Sequence, residues 1–293
     1  MHLLYLTFGE NLNNHIQAHF SINSFLAQKE EVSSINIVTD CPDYYKNLKG
    51  YVSIIEVKNE TLEQWKGEHK FFWRIKIKAI EKLCDLYKNE PVLYLDSDTF
   101  LFSGIKPLKE AASNGKAFMH ENEGMLSLEK SKTAKKMWNQ IKNRKYSDIS
   151  IVETHAMWNA GVVLTPNQKN NKECLLALDI CDEMCRQGVT RRLIEQFALS
   201  VAFQEMYGLH SASNTIAHYW SNKESWNNLI EYFLISTYFK AFTVEQTVEE
   251  IKKFEFNKLA VKTKVKNTNT RLKKIVEKLF PPRDILFANK SAN

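Results

Sequence analysis

The chain has 293 residues, 44% of them hydrophobic and 25% charged, and a formal net charge of +6. That is enough apolar material to bury one large α/β core with appendages, and it excludes disorder as the default state. No uncharged apolar run approaches the roughly 18 residues that mark a membrane span.

In chain order, Met1 to Thr7 lacks a basic leader region and reads as a first strand, over His2 to Thr7, not as a signal peptide. A helix is expected from Leu12 to Gln28, a second strand from Ser34 to Thr39 ending at Asp40, and a third from Tyr51 to Val57. Glu60 to Tyr87 reads as one long helix, with Phe71, Phe72, Ile75, Ile80 and Leu83 for packing and Arg74, Lys76 and Lys78 interleaved. Alternation of this kind is the pattern of a mainly parallel α/β sheet flanked by helices. Further on, a strand is expected at 115–119, a helix at 133–142, a buried strand from Met157 to Thr165 bounded by Pro166, and helices at 172–188 and 191–206. Gly188 is the C-cap of the first of these.

Five cysteines cannot all pair within one chain, and Cys174, Cys181 and Cys185 fall at helical i, i+7 and i+11 spacing. A buried helix face of reduced thiols in a cytosolic protein is expected, in preference to a disulfide framework or a metal cluster, since no CxxC pair is present.

The stretch that carries chemistry is Val92-Leu93-Tyr94-Leu95-Asp96-Ser97-Asp98, an apolar run that ends in two aspartates one residue apart. Strand side chains alternate faces, so Asp96 and Asp98 are expected on one side of a strand end, with Ser97 turned away. Two hard oxygen ligands leave most of an octahedral shell open, which suits Mg²⁺ or Mn²⁺ shared with substrate phosphates. An isolated Asp-x-Asp is commonly a solvated turn; at the carboxyl end of a parallel strand it sits where open α/β sheets bind ligands.

With this motif the chain resembles the GT-A fold of nucleotide-sugar glycosyltransferases, and within it glycosyltransferase family 8, over roughly residues 1–228. Leu93-Tyr94-Leu95-Asp96-Ser97-Asp98 is similar to the family's metal-binding motif, and Trp158-Asn159-Ala160-Gly161-Val162-Val163-Leu164 to its Phe-Asn-Ala-Gly-Val-Leu-Leu strand. Ile194-Glu195-Gln196-Phe197 is similar to its Asp-Gln-Asp helix start, with Phe197 in place of the last carboxylate, and Ile216-Ala217-His218-Tyr219-Trp220 to the segment of a third metal ligand. The family writes that region His-x-x-Gly-x-x-Lys-Pro-Trp; here His218 and Trp226 keep their separation, the lysine is missing from its place, and Lys223 stands one residue away.

The resemblance implies a metal held by Asp96, Asp98 and His218, a donor-sugar contact at Asn159, and close approach at Gly161. It also implies catalytic roles for Glu195 and Gln196, nucleotide contacts from Arg74 and its helix neighbour Lys78, and transfer of a hexose from a UDP-sugar with retention. The base and ribose are expected at Thr7, Phe8 and Asp40. Neither GxGxxG nor GxxxxGK is present. Each residue also has a plainer reading: a strand bulge at Asn159 and Gly161, a core histidine at 218, a surface acid at 195, solvated cations at 74 and 78. Two other functions fit the same sheet: a sugar-1-phosphate nucleotidyltransferase, which would show a basic Gly-rich loop where Thr7-Phe8-Gly9-Glu10-Asn11 stands, and a non-catalytic nucleotide-sugar binding protein.

A domain boundary is expected near residue 228, separating a catalytic unit, 1–228, from a helical, basic extension, 229–293. Residues 252–274 carry nine lysines and arginines against the single acid Glu255, and Leu272, Ile275, Val276, Leu279 and Phe280 recur at helical spacing. A basic amphipathic helix of this kind either lies on an anionic membrane or packs back on the domain. Membrane docking would suit a lipid-linked acceptor on the inner face of a cell membrane; nucleic acid is a poorer partner, with few aromatics among the lysines.

Overall fold

The computed structural model describes residues 1–129, 131–263, 272 and 275–280. The elements run β1 (His2–Thr7), α1 (Leu12–Leu26), β2 (Ser34–Thr39), β3 (Ser53–Glu56), α2 (Asn59–Trp65), α3 (Arg74–Leu86), β4 (Val92–Leu95), β5 (Thr99–Leu101), α4 (Lys106–Ser113), β6 (Ala117–Met119) and β7 (Asn122–Met125). There follow α5 (Lys132–Ile141), β8 (Lys145–Tyr146), β9 (Ile149–Ser150), β10 (Ala156–Trp158), β11 (Val162–Thr165), α6 (Lys172–Arg186), α7 (Ile194–Tyr207), β12 (Leu209–Ser211), β13 (Ile216–His218), α8 (Lys223–Phe239) and α9 (Val244–Lys252).

Seven strands form the central sheet in the order β12-β6-β11-β4-β1-β2-β3. Pairing is parallel from β4 through β1 and β2 to β3 and again between β12 and β6, while β11 runs antiparallel between β4 and β6. This is the mixed, mainly parallel α/β sheet that the sequence alternation implies.

Strand periodicity divides the core into two layers. Leu3, Tyr5, Ile35, Ile37, Leu93 and Leu95 pack with Ala18, Ile22 and Phe25 of α1, whereas Leu4, Val38, Tyr94 and Val163 pack with residues of α3, α6 and α7. Cys174, Cys181 and Cys185 are buried and unbridged in α6, and Gly188 takes φ of 69° just past its end.

Two elements differ from the sequence reading. The long helix over Glu60 to Tyr87 is broken into α2 and α3, because Gly67 and Lys70 both adopt left-handed backbone (φ 67° and 49°) and the Arg74 side chain packs where a Gly67 side chain would be. The strand over Met157 to Thr165 is likewise two: β10 pairs with β7 and β11 joins the central sheet, with Asn159-Ala160-Gly161 as the break.

The boundary placed near residue 228 falls inside α8. Trp226 and Ile230 of α8, Ile251 of α9 and then Phe254, Phe256, Leu259 and Val261 pack as one cluster on Phe20, Phe100 and Tyr219. The first part of the extension is therefore continuous with the body. Beyond it, Leu272, Ile275, Val276, Leu279 and Phe280 are exposed and 275–279 is helical, while Lys264, Lys266, Arg271, Lys273 and Lys274 lie outside the described residues. No helix among the described residues is long and apolar enough to cross a membrane.

Ending the chain at residue 250 should thus cost about 3–5 kcal/mol of stability through loss of the Ile251 and Phe254 packing, and ending it at 263 should cost little. Urea denaturation of the two truncated chains checks this; equal midpoints would show that residues 251–263 do not belong to the core.

Candidate functional site

β4 ends at Leu95, and Asp96-Ser97-Asp98 form a turn into β5. The Thr99 hydroxyl closes that turn on the Asp96 carbonyl (2.8 Å), and Ser97 is drawn off to Gln17 Oε1 (3.0 Å). The two aspartates converge even though they are not on a strand. β13 lies antiparallel to β5 with His218 opposite Thr99, and the Tyr219 N–H donates to the Asp98 carbonyl at 3.1 Å. This brings His218 Nε2 to 3.4 Å from Asp98 Oδ2 and 3.9 Å from Asp96 Oδ2.

The break between β10 and β11 sets the imidazole. Asn159 Oδ1 accepts the Gly161 N–H (3.0 Å), which assigns that atom as the oxygen, so His218 Nδ1 donates to it (2.9 Å) and Nε2 is the atom aimed at the aspartates. The Asn159 amide donates in turn to Glu123 Oε1 (2.8 Å), and Glu123 Oε2 accepts from Gln196 (2.8 Å). A Cβ on Gly161 would lie 2.1 Å from His218 Cε1. The close approach expected at Gly161 is that of the His218 ring.

Asp96, Asp98 and His218 offer one ligand atom each, all within 4.8 Å of one another. Asp98 is 3% exposed, and its Oδ2 makes no hydrogen bond of good geometry, only the ionic contacts with His218 and with Lys223 Nζ at 3.0 Å. Two hard oxygens and one imidazole nitrogen, one oxygen being a buried acceptor left open, fit a divalent cation. Burial works to raise the Asp98 carboxyl, and the His218 and Lys223 contacts more than offset it, holding it well below the usual carboxylate range.

Behind this triad lies an ion-pair network that the sequence reading did not single out. Lys76 is buried on α3, 3.3 Å from Asp96 Oδ1, 3.0 Å from Glu195 Oε1 and 3.1 Å from the Ala160 carbonyl. Burial alone would depress its ammonium; Asp96 and Glu195 together raise it instead. Glu195, for its part, is pushed up by burial against the pull of Lys76, since one ammonium serves two carboxylates. Tyr94 donates to Asp96 Oδ1 at 2.5 Å.

A cleft of 230 Å³ opens over these groups, lined by Thr7, Phe8, Asn14, Phe72, Trp73, Lys76, Asp96, Asp98 and Lys223 among others. Thr7 and Phe8, two of the three residues expected to hold the base and ribose, line this cleft. Asp40 is beside them, accepting the Gly9 N–H at 2.9 Å, but does not line the cleft. Arg74 and Lys78 do not reach it: Arg74 makes a two-pronged bond to Asp182 (2.7 and 2.9 Å), and Lys78 pairs with Glu81. Glu195 and Gln196 are also outside its lining, the first held by Lys76 and the second by Glu123. A larger groove of 1040 Å³, between α1, the turn at Pro42–Leu48 and the α8–α9 corner, contains none of the clustered ligands.

Lys76 had a readable signal. Lys76, Ala79, Ile80 and Leu83 fall at i, i+3, i+4 and i+7, so Lys76 occupies the buried face of α3, and a lysine there requires acidic partners. Glu123 had none, since its role depends on the β7–β10 pairing.

No family model matches the sequence, and no curated protein matches it. Among solved structures, the chain is similar to the galactosyltransferase LgtC in complex with donor and acceptor sugar analogues, at 15% identity over 72% of this chain and 73% of that one, TM-score 0.48. It is similar to the bifunctional glycosyltransferase WbbM at 13% identity over 71% and 38% of the two chains, TM-score 0.47. Mouse xyloside xylosyltransferase 1 shows 12% identity over 72% and 84%, TM-score 0.45. All three TM-scores lie below 0.5, and the reading of the site rests on its own geometry.

Two outcomes follow. Gly161→Ala should lose about 1–3 kcal/mol in urea denaturation, because a methyl group cannot be added without moving the His218 ring; wild-type stability would show that the ring does not pack there. His120, 2% exposed and edge-on to His218 at 5.3 Å, is pushed down to about 4 by burial first and by His218 second. Its folded value is below its unfolded one, so the unfolded chain binds the extra proton. Stability should be full above about pH 6.5 and fall by about 3 kcal/mol as the pH drops toward 4. In His120→Asn, a denaturation series over that range should be flatter by about this amount.

Proposed function

We propose that this chain is a metal-dependent glycosyltransferase that moves a hexose from a UDP-linked donor to a glycan or lipid-linked saccharide. The observation that carries the reading is the convergence of Asp96, Asp98 and His218 beside a cleft walled by Thr7 and Phe8. Mn²⁺ or Mg²⁺ bound by these three residues would supply a Lewis acid for the negative charge that develops on the departing diphosphate.

The chain's own residues do the rest. Asn159 fixes the His218 ring, and Lys76 holds Asp96 in place while neutralising Glu195. Phe72 and Trp73, 46% and 51% exposed at the cleft, offer aromatic faces to a base or sugar ring. During transfer the C1–O bond to the β-phosphate breaks, the C1–O bond to the acceptor forms, and the acceptor's hydroxyl proton leaves with the diphosphate. Retention is taken from the sequence resemblance. Glu195 and Gln196, expected to face the donor sugar, enter as the partners of Lys76 and Glu123.

The end of the chain joins this reading as a reversible attachment to an anionic membrane surface. Its exposed Ile275, Val276, Leu279 and Phe280 support that, as do Tyr232, Tyr238 and Phe239 on α8, at 75%, 79% and 80% exposure. It would place the enzyme at the cytoplasmic face, beside a lipid-linked acceptor.

Incubation with a panel of UDP- and GDP-sugars and Mn²⁺ tests the proposal. Slow release of free sugar from at least one UDP-sugar is expected, abolished by chelator and by Asp98→Ala. Release of pyrophosphate from a nucleoside triphosphate and a sugar phosphate would instead make it a nucleotidyltransferase, and metal-dependent UDP binding with no turnover would make it a binding protein. In the same series, the full chain should sediment with anionic liposomes and the chain ending at 263 much less; equal sedimentation would remove the segment beyond 263 from the membrane reading.

A further inference from the structure

Lys223 is the first residue of α8, and Asn222 before it makes no side-chain capping bond. A helix N-terminus carries partial positive charge, so an ammonium there is opposed by the helix and needs an anion close by. In this structure the anion is Asp98, whose Oδ2 lies 3.0 Å from Lys223 Nζ.

The backbone that carries Lys223 is fixed. Asn222 Nδ2 and the Trp226 indole N–H both donate to the Ala260 carbonyl, at 2.7 and 3.1 Å, the Asn222 N–H donates to the Tyr219 carbonyl at 2.9 Å, and the Trp226 ring is fully buried. The lysine side chain is not fixed in this way. It is about half exposed, lines the cleft, and has Asp98 as its ion-pair partner among the described residues. Lys76 is the contrast: it is buried and held on three sides, by two carboxylates and a carbonyl.

Asp98 Oδ2 is also the oxygen that His218 Nε2 approaches, the one open buried acceptor of the triad. A divalent ion bonds carboxylate oxygen at about 2.1 Å, and an ammonium 3.0 Å from that same oxygen would repel it strongly in a low-dielectric site. The four-carbon stem of a lysine can swing its charge away while the backbone stays in place.

We propose that Lys223 is an exchangeable counter-ion: it neutralises Asp98 while the metal site is empty, is displaced when the metal binds, and then engages the donor diphosphate across the cleft. Metal binding and donor binding are thereby coupled through one side chain, and the donor phosphates supply the anion that the helix N-terminus demands. The inference rests on the metal reading above and goes beyond it, because it gives Lys223 opposite effects on the two ligands.

The test uses the full chain, with Lys223→Met and Lys223→Arg, and Mn²⁺ and UDP as probes in calorimetry. Without nucleotide, Lys223→Met should bind Mn²⁺ roughly tenfold more tightly than the wild type, since a competing charge is gone. At saturating Mn²⁺ the same variant should bind UDP roughly tenfold more weakly, having lost a charged phosphate contact. Lys223→Arg should return both affinities toward the wild type, which a general loss of structure would not do. Equal Mn²⁺ affinity in wild type and Lys223→Met overturns the exchange and leaves the metal reading standing. Absence of Mn²⁺ binding in all three proteins, with or without UDP, overturns both.

Discussion

The structure depends most on the contact between the His218 imidazole and the bare Cα of Gly161, with Asn159 Oδ1 joining the two. A side chain on Gly161 would stand 2.1 Å from the ring, and the Asn159 carbonyl spans the Gly161 N–H and His218 Nδ1. The contact lies at the break between β10 and β11, where the chain meets the end of β4, and the Asn159 bond leaves Nε2 facing Asp96 and Asp98. The Asp96 N–H donates to the Gly161 carbonyl at 2.8 Å, so the same glycine also anchors the aspartate turn.

Charge balance explains the rest of the arrangement. Asp96, Asp98 and Glu195 bring three carboxylates together, against the two ammonium groups of Lys76 and Lys223. One ammonium is locked in the core and the other stands at the surface of the cleft. A fixed interior cation preserves the Asp96 geometry whatever is bound, while the movable one tracks the charge that enters the cleft. An all-carboxylate cluster without them would carry a large desolvation and repulsion cost.

Much of this could be read in the sequence because it is written in local patterns. The apolar run Val92 to Leu95 is a fully buried strand, and the aspartates after it lie at its carboxyl end as expected. Asn159, Gly161 and His218 were legible as residues of the site, and His218 as the neighbour of Asp96 and Asp98, but what Asn159 and Gly161 touch was not: Gly161 serves the histidine ring, a contact between residues 57 positions apart that no local pattern encodes. The resemblance points to Arg74 and Lys78 as nucleotide contacts, yet the Gly67 turn hands Arg74 to Asp182, and the helix phase selects Lys76 instead. The break near 228 failed to show where the apolar cluster ends, because the aromatic residues 254 and 256 pack back on Phe20 and Phe100 from beyond a strongly charged stretch.

The most direct test of the account is a crystal structure of the full chain with Mn²⁺ and UDP, with the metal located by its anomalous signal. The ion should be bonded to a carboxylate oxygen of Asp96, one of Asp98 and Nε2 of His218, with His218 Nδ1 still donating to Asn159. An ion bound elsewhere, or a UDP complex in which His218 Nε2 touches only protein atoms, would contradict it.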